Sequence, residues 1–234
     1  KEILEASQPF KLCVTMIFVE QRWTIAHKND GIFLDFLLKD YYPHLLKYDI
    51  ENICLLRGMI GKSSNEFILI SYCKDIISWE RYVDSNIPSH EAVLSAESIL
   101  LKPISSDVLV SLPPESLKNI YGYREFIIKT TDMDKFVECS ERGIWPRIRS
   151  QGGRVLGLWA NMSKANIARI LLLTGYDSVG HWEGTRSTNQ YGLAFENAPQ
   201  ASVELTNQEK TLRDIREDIT ITTTVNLMKN VFFE

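Results

Sequence analysis

One offset constrains this chain more than any other feature: residues 103 apart repeat one another through most of its length. Phe33 and Phe136, Pro43 and Pro146, Leu55 and Leu158, Met59 and Met162, Leu69 and Leu172, Trp79 and Trp182, and Glu80 and Glu183 are identical pairs in a single register. Similar residues fill the same register, among them Asp35 with Glu138, Tyr42 with Trp145, Ile53 with Leu156 and Ile76 with Val179. Helical periodicity can align Phe with Leu, but it does not align two Trp-Glu pairs and two prolines without a gap. Such a chain is built from two copies of one supersecondary unit.

Each copy reads as the same run of elements. In the second, the aromatic and β-branched residues of Tyr123 to Thr130 predict a strand. Thr131 and Asp134 form a helix start signal, Met133, Phe136, Val137, Ile144, Trp145 and Ile148 hold one helical stripe, and Gly152-Gly153 ends it. Val155 to Asn161 and Ala168 to Thr174 predict two strands, followed by a helix from Asp177 to about Arg186. The first copy gives a strand near Lys11 to Val19, a helix from Asn29 or Asp30 to Lys47, strands at Ile53 to Ile60 and Phe67 to Tyr72, and a helix from Asp75 to Asp84. Closing strands are expected at Ser98 to Leu101 and Ile219 to Asn226. The order β-α-β-β-α-β is the ferredoxin-like unit. Pro43 and Pro146 are expected to bend their helices, and Leu112-Pro113-Pro114 suggests a boundary between units at 1–112 and 119–234.

The inner strands predict what covers the sheets. Ile53-Cys54-Leu55-Leu56, Phe67-Ile68-Leu69-Ile70, Val155-Leu156-Gly157-Leu158-Trp159 and Ile170-Leu171-Leu172-Leu173 are apolar at both parities, so both faces must be dry. Helices cover one face of a ferredoxin-like sheet. Two such sheets in one chain cover each other's second face by packing together, which predicts an α+β fold closed as an intramolecular barrel.

Composition excludes several classes. With 26 basic and 30 acidic residues the net charge is −4, without the basic footprint of a nucleic-acid binder. No apolar run reaches the length of a membrane span. Cys13, Cys54, Cys73 and Cys139 lack metal-ligand spacing and lie in apolar runs, which reads as reduced, buried thiols. Lys1 to Phe10 lacks the apolar core of a signal peptide, so a cytoplasmic protein is expected. No nucleotide loop or metal motif is present in the sequence, and no cofactor is expected.

Tyr123-Arg124-Glu125-Phe126, Gly143-Ile144-Trp145-Pro146, Gly152-Gly153-Arg154-Val155-Leu156-Gly157-Leu158-Trp159 and Gly175-Tyr176-Asp177-Ser178 together resemble the NIPSNAP family of the dimeric α+β-barrel superfamily. The similarity covers Tyr123 to Arg186, and Ser98-Ile99-Leu100-Leu101-Lys102-Pro103 resembles a closing strand in the first copy. The chain departs from the pattern at Ile127, where the family usually carries arginine, and from Ser187 onward. The resemblance implies the barrel and a superfamily that includes cofactor-free monooxygenases, cyclases, isomerases, haem-degrading enzymes and members with no established reaction.

Polar residues inside apolar strands are the candidates for chemistry. Glu125, if desolvated, would have a raised pKa suited to a general acid or base, Arg124 would hold an enolate or carboxylate, and His181 would shuttle a proton. Arg57 would assist binding, and Tyr42, Tyr123, Trp145, Trp159 and Trp182 would shape a slot for a flat substrate. The aligned residues of the first copy are Gln21, Arg22 and Ser78, which favours the second copy as the site. The leading expectation is a cofactor-independent enzyme of secondary metabolism acting on a hydrophobic or aromatic small molecule by oxygenation, cyclisation or rearrangement. The alternatives are a non-catalytic binding or scaffold protein, and a haem-binding barrel with His44 or His181 as axial ligand. A homodimer of such tandem barrels is compatible with each.

Overall fold

The computed structural model describes residues 17–105, 116–163, 165–186 and 203–231. The first copy supplies β1 (Ile17–Ile25), β2 (Ile50–Ile60), β3 (Glu66–Cys73) and β4 (Val93–Pro103), and the second supplies β5 (Ile120–Lys129), β6 (Arg154–Asn161), β7 (Ile167–Tyr176) and β8 (Thr220–Val231). All pairs are antiparallel, and they close one barrel in the order β1-β3-β2-β8-β5-β7-β6-β4. Each copy therefore contributes four adjacent strands, and the seams are β2 with β8 and β4 with β6. Closure removes the open edges that two separate sheets would present.

Strand parity divides the apolar residues into three layers. Phe18, Leu56, Ile68 and Ile70 of the first copy meet Tyr121, Trp159, Leu171 and Leu173 of the second inside the barrel. On the outer side, Val19, Trp23, Leu55 and Leu69 pack under α1 (Asp30–Phe36), α2 (Tyr42–Leu46) and α3 (Ile76–Val83). Phe126, Ile128, Leu158 and Leu172 pack under the second copy's α4 (Met133–Glu138) and α5 (Trp145–Ser150), with α6 (Val179–Gly184) following β7. The expectation that both sheet faces are dry is met by this sandwich of three apolar layers.

The copies agree in irregularities as well as in elements. A π-helical segment joins α1 to α2 at Leu37–Tyr41 and α4 to α5 at Cys139–Ile144, each just before its proline. Proline lacks an N–H and its ring crowds the carbonyl four residues back, so a wider turn accommodates it where a regular helix would not. Bulges fall at Asn52/Cys54 and Val155/Gly157, again at the same aligned place. Asp75 and Ser178, also aligned, each cap a helix by accepting from the backbone N–H three residues on.

Some boundaries differ from expectation. Within the described residues the first strand runs Ile17–Ile25, past the expected end at Val19, because alternation continues through Trp23 and Ile25. Lys11 to Met16 and the boundary suggested by Leu112-Pro113-Pro114 lie outside the described residues. Both closing strands are longer than expected. An unexpected helix, α7 (Val203–Asp218), docks on the second copy. Its Glu209 forms a buried ion pair with Arg147, with one contact of 3.1 Å, and Leu212 lies against Gly143. No helix among the described residues is long and apolar enough to cross a membrane.

A Cβ at Gly143 would stand 2.6 Å from the Leu212 Cβ. Gly143→Val should therefore detach α7, raising hydrogen exchange across 203–218 while leaving exchange in β5 and β7 unchanged. Undiminished protection of α7 would contradict this docking.

Candidate functional site

Two polar centres stand on opposite faces of β5. Tyr123 and Glu125 point into the barrel; Arg124, between them, points outward because successive side chains alternate across a strand. Inside, Glu20 and Arg22 of β1 meet Tyr123 and Glu125 of β5, the residues 103 positions on. Arg22 lies 2.9 Å from Glu125 and 2.9 Å from Glu20. Arg169 of β7 reaches Glu125 at 2.6 Å and Glu20 at 2.9 Å. Both arginines donate to the Tyr123 hydroxyl at 2.7 Å, and that hydroxyl is hydrogen-bonded to Glu20. Two carboxylates and two guanidinium groups balance around the fully buried Glu20, and Glu97 lies 3.8 Å from Arg22 at the exposed edge of the network.

That balance corrects the expectation for Glu125. Desolvation does push its pKa upward, but the charges and hydrogen bonds of Arg169 and Arg22 together outweigh it and hold the carboxyl below its ordinary value. The group is an ionised partner of two arginines, poorly suited to taking up a proton near neutrality. Burial, as the largest influence, raises the pKa of Tyr123, so its hydroxyl is a neutral donor.

Outside the barrel, a cavity of about 640 Å³ opens between the outer face of β5 and β8 and the helices α6 and α7. Phe126, Trp182, Ile221, Val225 and Leu227 give it an apolar wall, and Arg124, Arg186 and Arg216 supply charge. Arg216 stacks 5.0 Å from the Phe126 ring centre and 5.4 Å from Phe136, and is hydrogen-bonded to Ser140 at 3.3 Å. Desolvation first, and repulsion by Arg124 second, bring the Arg216 guanidinium down to about 10. Arg124 is 3.5 Å from the Tyr176 hydroxyl, and Arg186 lies 5.1 Å over the Trp182 ring. None of the three forms an ion pair with a carboxylate among the described residues. The lining carboxylate, Glu217, is 3.6 Å from Arg213. Ile60, Ile221 and Val225 around this cavity are large apolar side chains about half exposed, at 52%, 50% and 47%. The buried Trp182 indole N–H has no hydrogen-bond partner among the described residues.

The structure brings only Arg124 and Trp182 of the expected site residues to this cavity. Tyr42 packs in the first helix layer, Trp145 in the second, and Trp159 inside the barrel against Phe18, so the five aromatic residues do not form one slot. Arg57 is paired with Asp30 at 2.6 Å. His181 is tied to the Gln151 carbonyl through Nε2 at 2.8 Å and to Asp177 through Nδ1 at 3.1 Å, so both ring nitrogens have partners within the protein. His44 is bonded to the Ser85 hydroxyl at 2.8 Å. Neither histidine lines the cavity. Arg169, Arg186 and Arg216 were not anticipated. Arg169 shares the inner parity of Leu171 and Leu173, which is the one signal that marked it.

No protein-family model matches the chain, and no curated protein sequence matches it. Solved structures do. The chain is similar to a candidate monooxygenase from Lactobacillus acidophilus NCFM, at 12% identity and a TM-score of 0.58 over 92% of this chain and 94% of that one. It is also similar to an anthrone oxidase-like protein, at 9% identity and a TM-score of 0.59 over 94% and 92%. A NIPSNAP family protein of unknown function from Agrobacterium tumefaciens is similar at 12% identity over 39% of this chain and 90% of that one, with a TM-score of 0.32. The two full-length similarities show the fold alone: a closed antiparallel α+β barrel with both halves in one chain.

Because Glu125 has a lowered folded pKa, its stabilising contribution is complete above the ordinary value of 4.5 and fades as pH falls through the folded value. Glu125→Gln should cost about 1–3 kcal/mol at neutral pH by leaving Arg22 and Arg169 short of a partner. The gap between wild type and variant, measured by urea unfolding, should shrink below about pH 4.5. A gap that stays constant or widens on acidification contradicts the ionised assignment.

Proposed function

We propose that the protein binds an aromatic or similarly apolar small molecule carrying an acidic oxygen in the cavity beside α6 and α7, and oxidises it with dioxygen. The observation that carries this reading is the set of three arginines, Arg124, Arg186 and Arg216, facing an apolar wall with no carboxylate paired to them among the described residues. Such a site favours an anion with an apolar body. Arg124 and Arg216 would take the phenolate or enolate oxygen, and Phe126 and Trp182 would hold the ring. Stabilising the anion makes the adjacent carbon electron-rich. An activated methylene then reacts with one molecule of dioxygen. Its two hydrogens leave with one oxygen atom as water, and the other oxygen atom becomes the carbonyl of the product. The electrons that the carbon gives up match those that dioxygen takes, so the reaction balances without a further reductant. The names of the two full-length structural neighbours, a candidate monooxygenase and an anthrone oxidase-like protein, support the reaction class. Glu125 and His181 would serve the scaffold, through Arg22 and Arg169 and through Gln151 respectively.

Binding without turnover is the second reading, favoured by the absence of a histidine from the cavity lining among the described residues and by the engagement of Glu217 with Arg213. The buried free thiols Cys54, Cys73 and Cys139 support a reducing, cytoplasmic setting for either reading.

Titration with a hydroxylated tricyclic aromatic should quench Trp182 fluorescence, a signal that Trp182→Phe removes. Arg124→Ala should weaken binding about ten- to a hundredfold, the effect of losing one charged hydrogen bond. Oxygen uptake in the presence of bound ligand separates turnover from binding alone. Saturable binding that is indifferent to Arg124→Ala would sink the anion site.

A further inference from the structure

A second cleft occupies the matching place in the first copy. There β1 and β4 set Gln21 opposite Ser98 and Trp23 opposite Ala96, as β5 and β8 set Arg124 opposite Val225 and Phe126 opposite Thr223. The cleft has a volume of about 300 Å³ and is walled by Trp23, Phe36, Tyr41, Tyr82, Val93 and Ala96. That volume is at the lower end of small-molecule sites. Its electrostatics are opposite to those of the arginine cavity. Among the described residues no lysine, arginine or histidine lines it, and its one charged lining residue, Glu97, lies 3.8 Å from Arg22.

Tyr41 and Tyr82 line it, and Gln21, bonded to both, leaves this group with hydrogen-bonding capacity that the protein does not use. Gln21, Tyr41 and Tyr82 are 2%, 5% and 2% exposed. The two hydroxyls are 2.6 Å apart, and the Gln21 amide nitrogen is 2.5 Å from Tyr41 and 3.3 Å from Tyr82. With that nitrogen donating to both oxygens, one hydroxyl hydrogen has no acceptor in this triad, and Gln21 Oε1 has no partner among the described residues. Turning the amide over gives a hydroxyl its acceptor but strands the amide nitrogen. Either arrangement leaves a buried polar group short of a partner, which native interiors rarely tolerate. Burial leads the influences that raise the pKa of both tyrosines, so they are neutral donors.

We infer that this cleft is a second ligand site, selective for a neutral apolar molecule with one hydrogen-bonding oxygen: an alcohol, a ketone or an un-ionised phenol. The aromatic wall takes the body, and the Tyr41 and Tyr82 hydroxyls, held by Gln21, take the oxygen. An anion of the same shape finds no cation here and meets Glu97. This inference stands apart from the reading of the arginine cavity.

Calorimetric titration of the whole chain with 2-naphthalenemethanol, 2-naphthoate and a naphthylmethyl trimethylammonium salt tests it. The alcohol should bind saturably, more tightly than the ammonium salt. Ala96→Phe, a substitution at an exposed strand position that fills the cleft, should abolish that binding, and Tyr82→Phe should weaken it about five- to tenfold. Arg124→Ala should leave it unchanged while weakening 2-naphthoate. Ser98→Phe replaces Ala96→Phe if thermal unfolding shows the latter to be misfolded. Absence of saturable alcohol binding, indifference to cleft filling, loss on Arg124→Ala, or tighter binding of the ammonium salt would each overturn the inference.

Discussion

The barrel depends on one constraint: the inner strands of each four-stranded sheet are apolar on both faces, and the sheet's own helices cover only one. Leu55 and Leu69 lie under helices while Leu56 and Ile70 lie inside, so exposing either face would place a row of aliphatic side chains in water. The duplicated chain meets this by turning its sheets toward each other, and the polar network inside follows from that packing. That packing brings aligned residues of the two copies together: Glu20 meets Tyr123 and Arg22 meets Glu125, each pair separated by one repeat length. Complementary rather than identical residues at these positions allow the contacts to be ion pairs and hydrogen bonds.

The departures from symmetry sit where binding is proposed. Arg124 stands where the first copy has Gln21, and α7 packs against the second copy, where Gly143 gives Leu212 room and Arg147 gives Glu209 a partner. The aligned residues of the first copy are Asp40 and His44. One fold thus carries a cationic cleft in one half and a neutral, tyrosine-floored cleft in the other.

Much of this was legible in the sequence. The repeat and the double-sided apolar strands together dictate the barrel, and the prolines mark the two π segments. The repeat also held the end of β1, since Tyr123 to Thr130 aligns with Glu20 to His27, whereas the apolar run before Val19 ended the expected strand too early. The site was harder to read. Arg124 and Glu125 are neighbours in sequence and therefore opposites in space, so a strand that looks doubly polar serves two separate centres. Arg169 lies near the start of a long aliphatic run, and its role appears only once β7 is paired beside β5. Helix α7 is largely polar and is anchored by a buried charge pair, which hydrophobic periodicity does not register.

The central functional claim is that apolar anions occupy the helix-sheet cavity of the second copy rather than the interior between the sheets. A crystal structure with a hydroxylated tricyclic aromatic tests it most directly. The account predicts ligand density against Phe126 and Trp182, with its oxygen within hydrogen-bond distance of Arg124 or Arg216. Ligand lodged between the sheets beside Glu125 and Tyr123, with the outer cavity vacant, would contradict it.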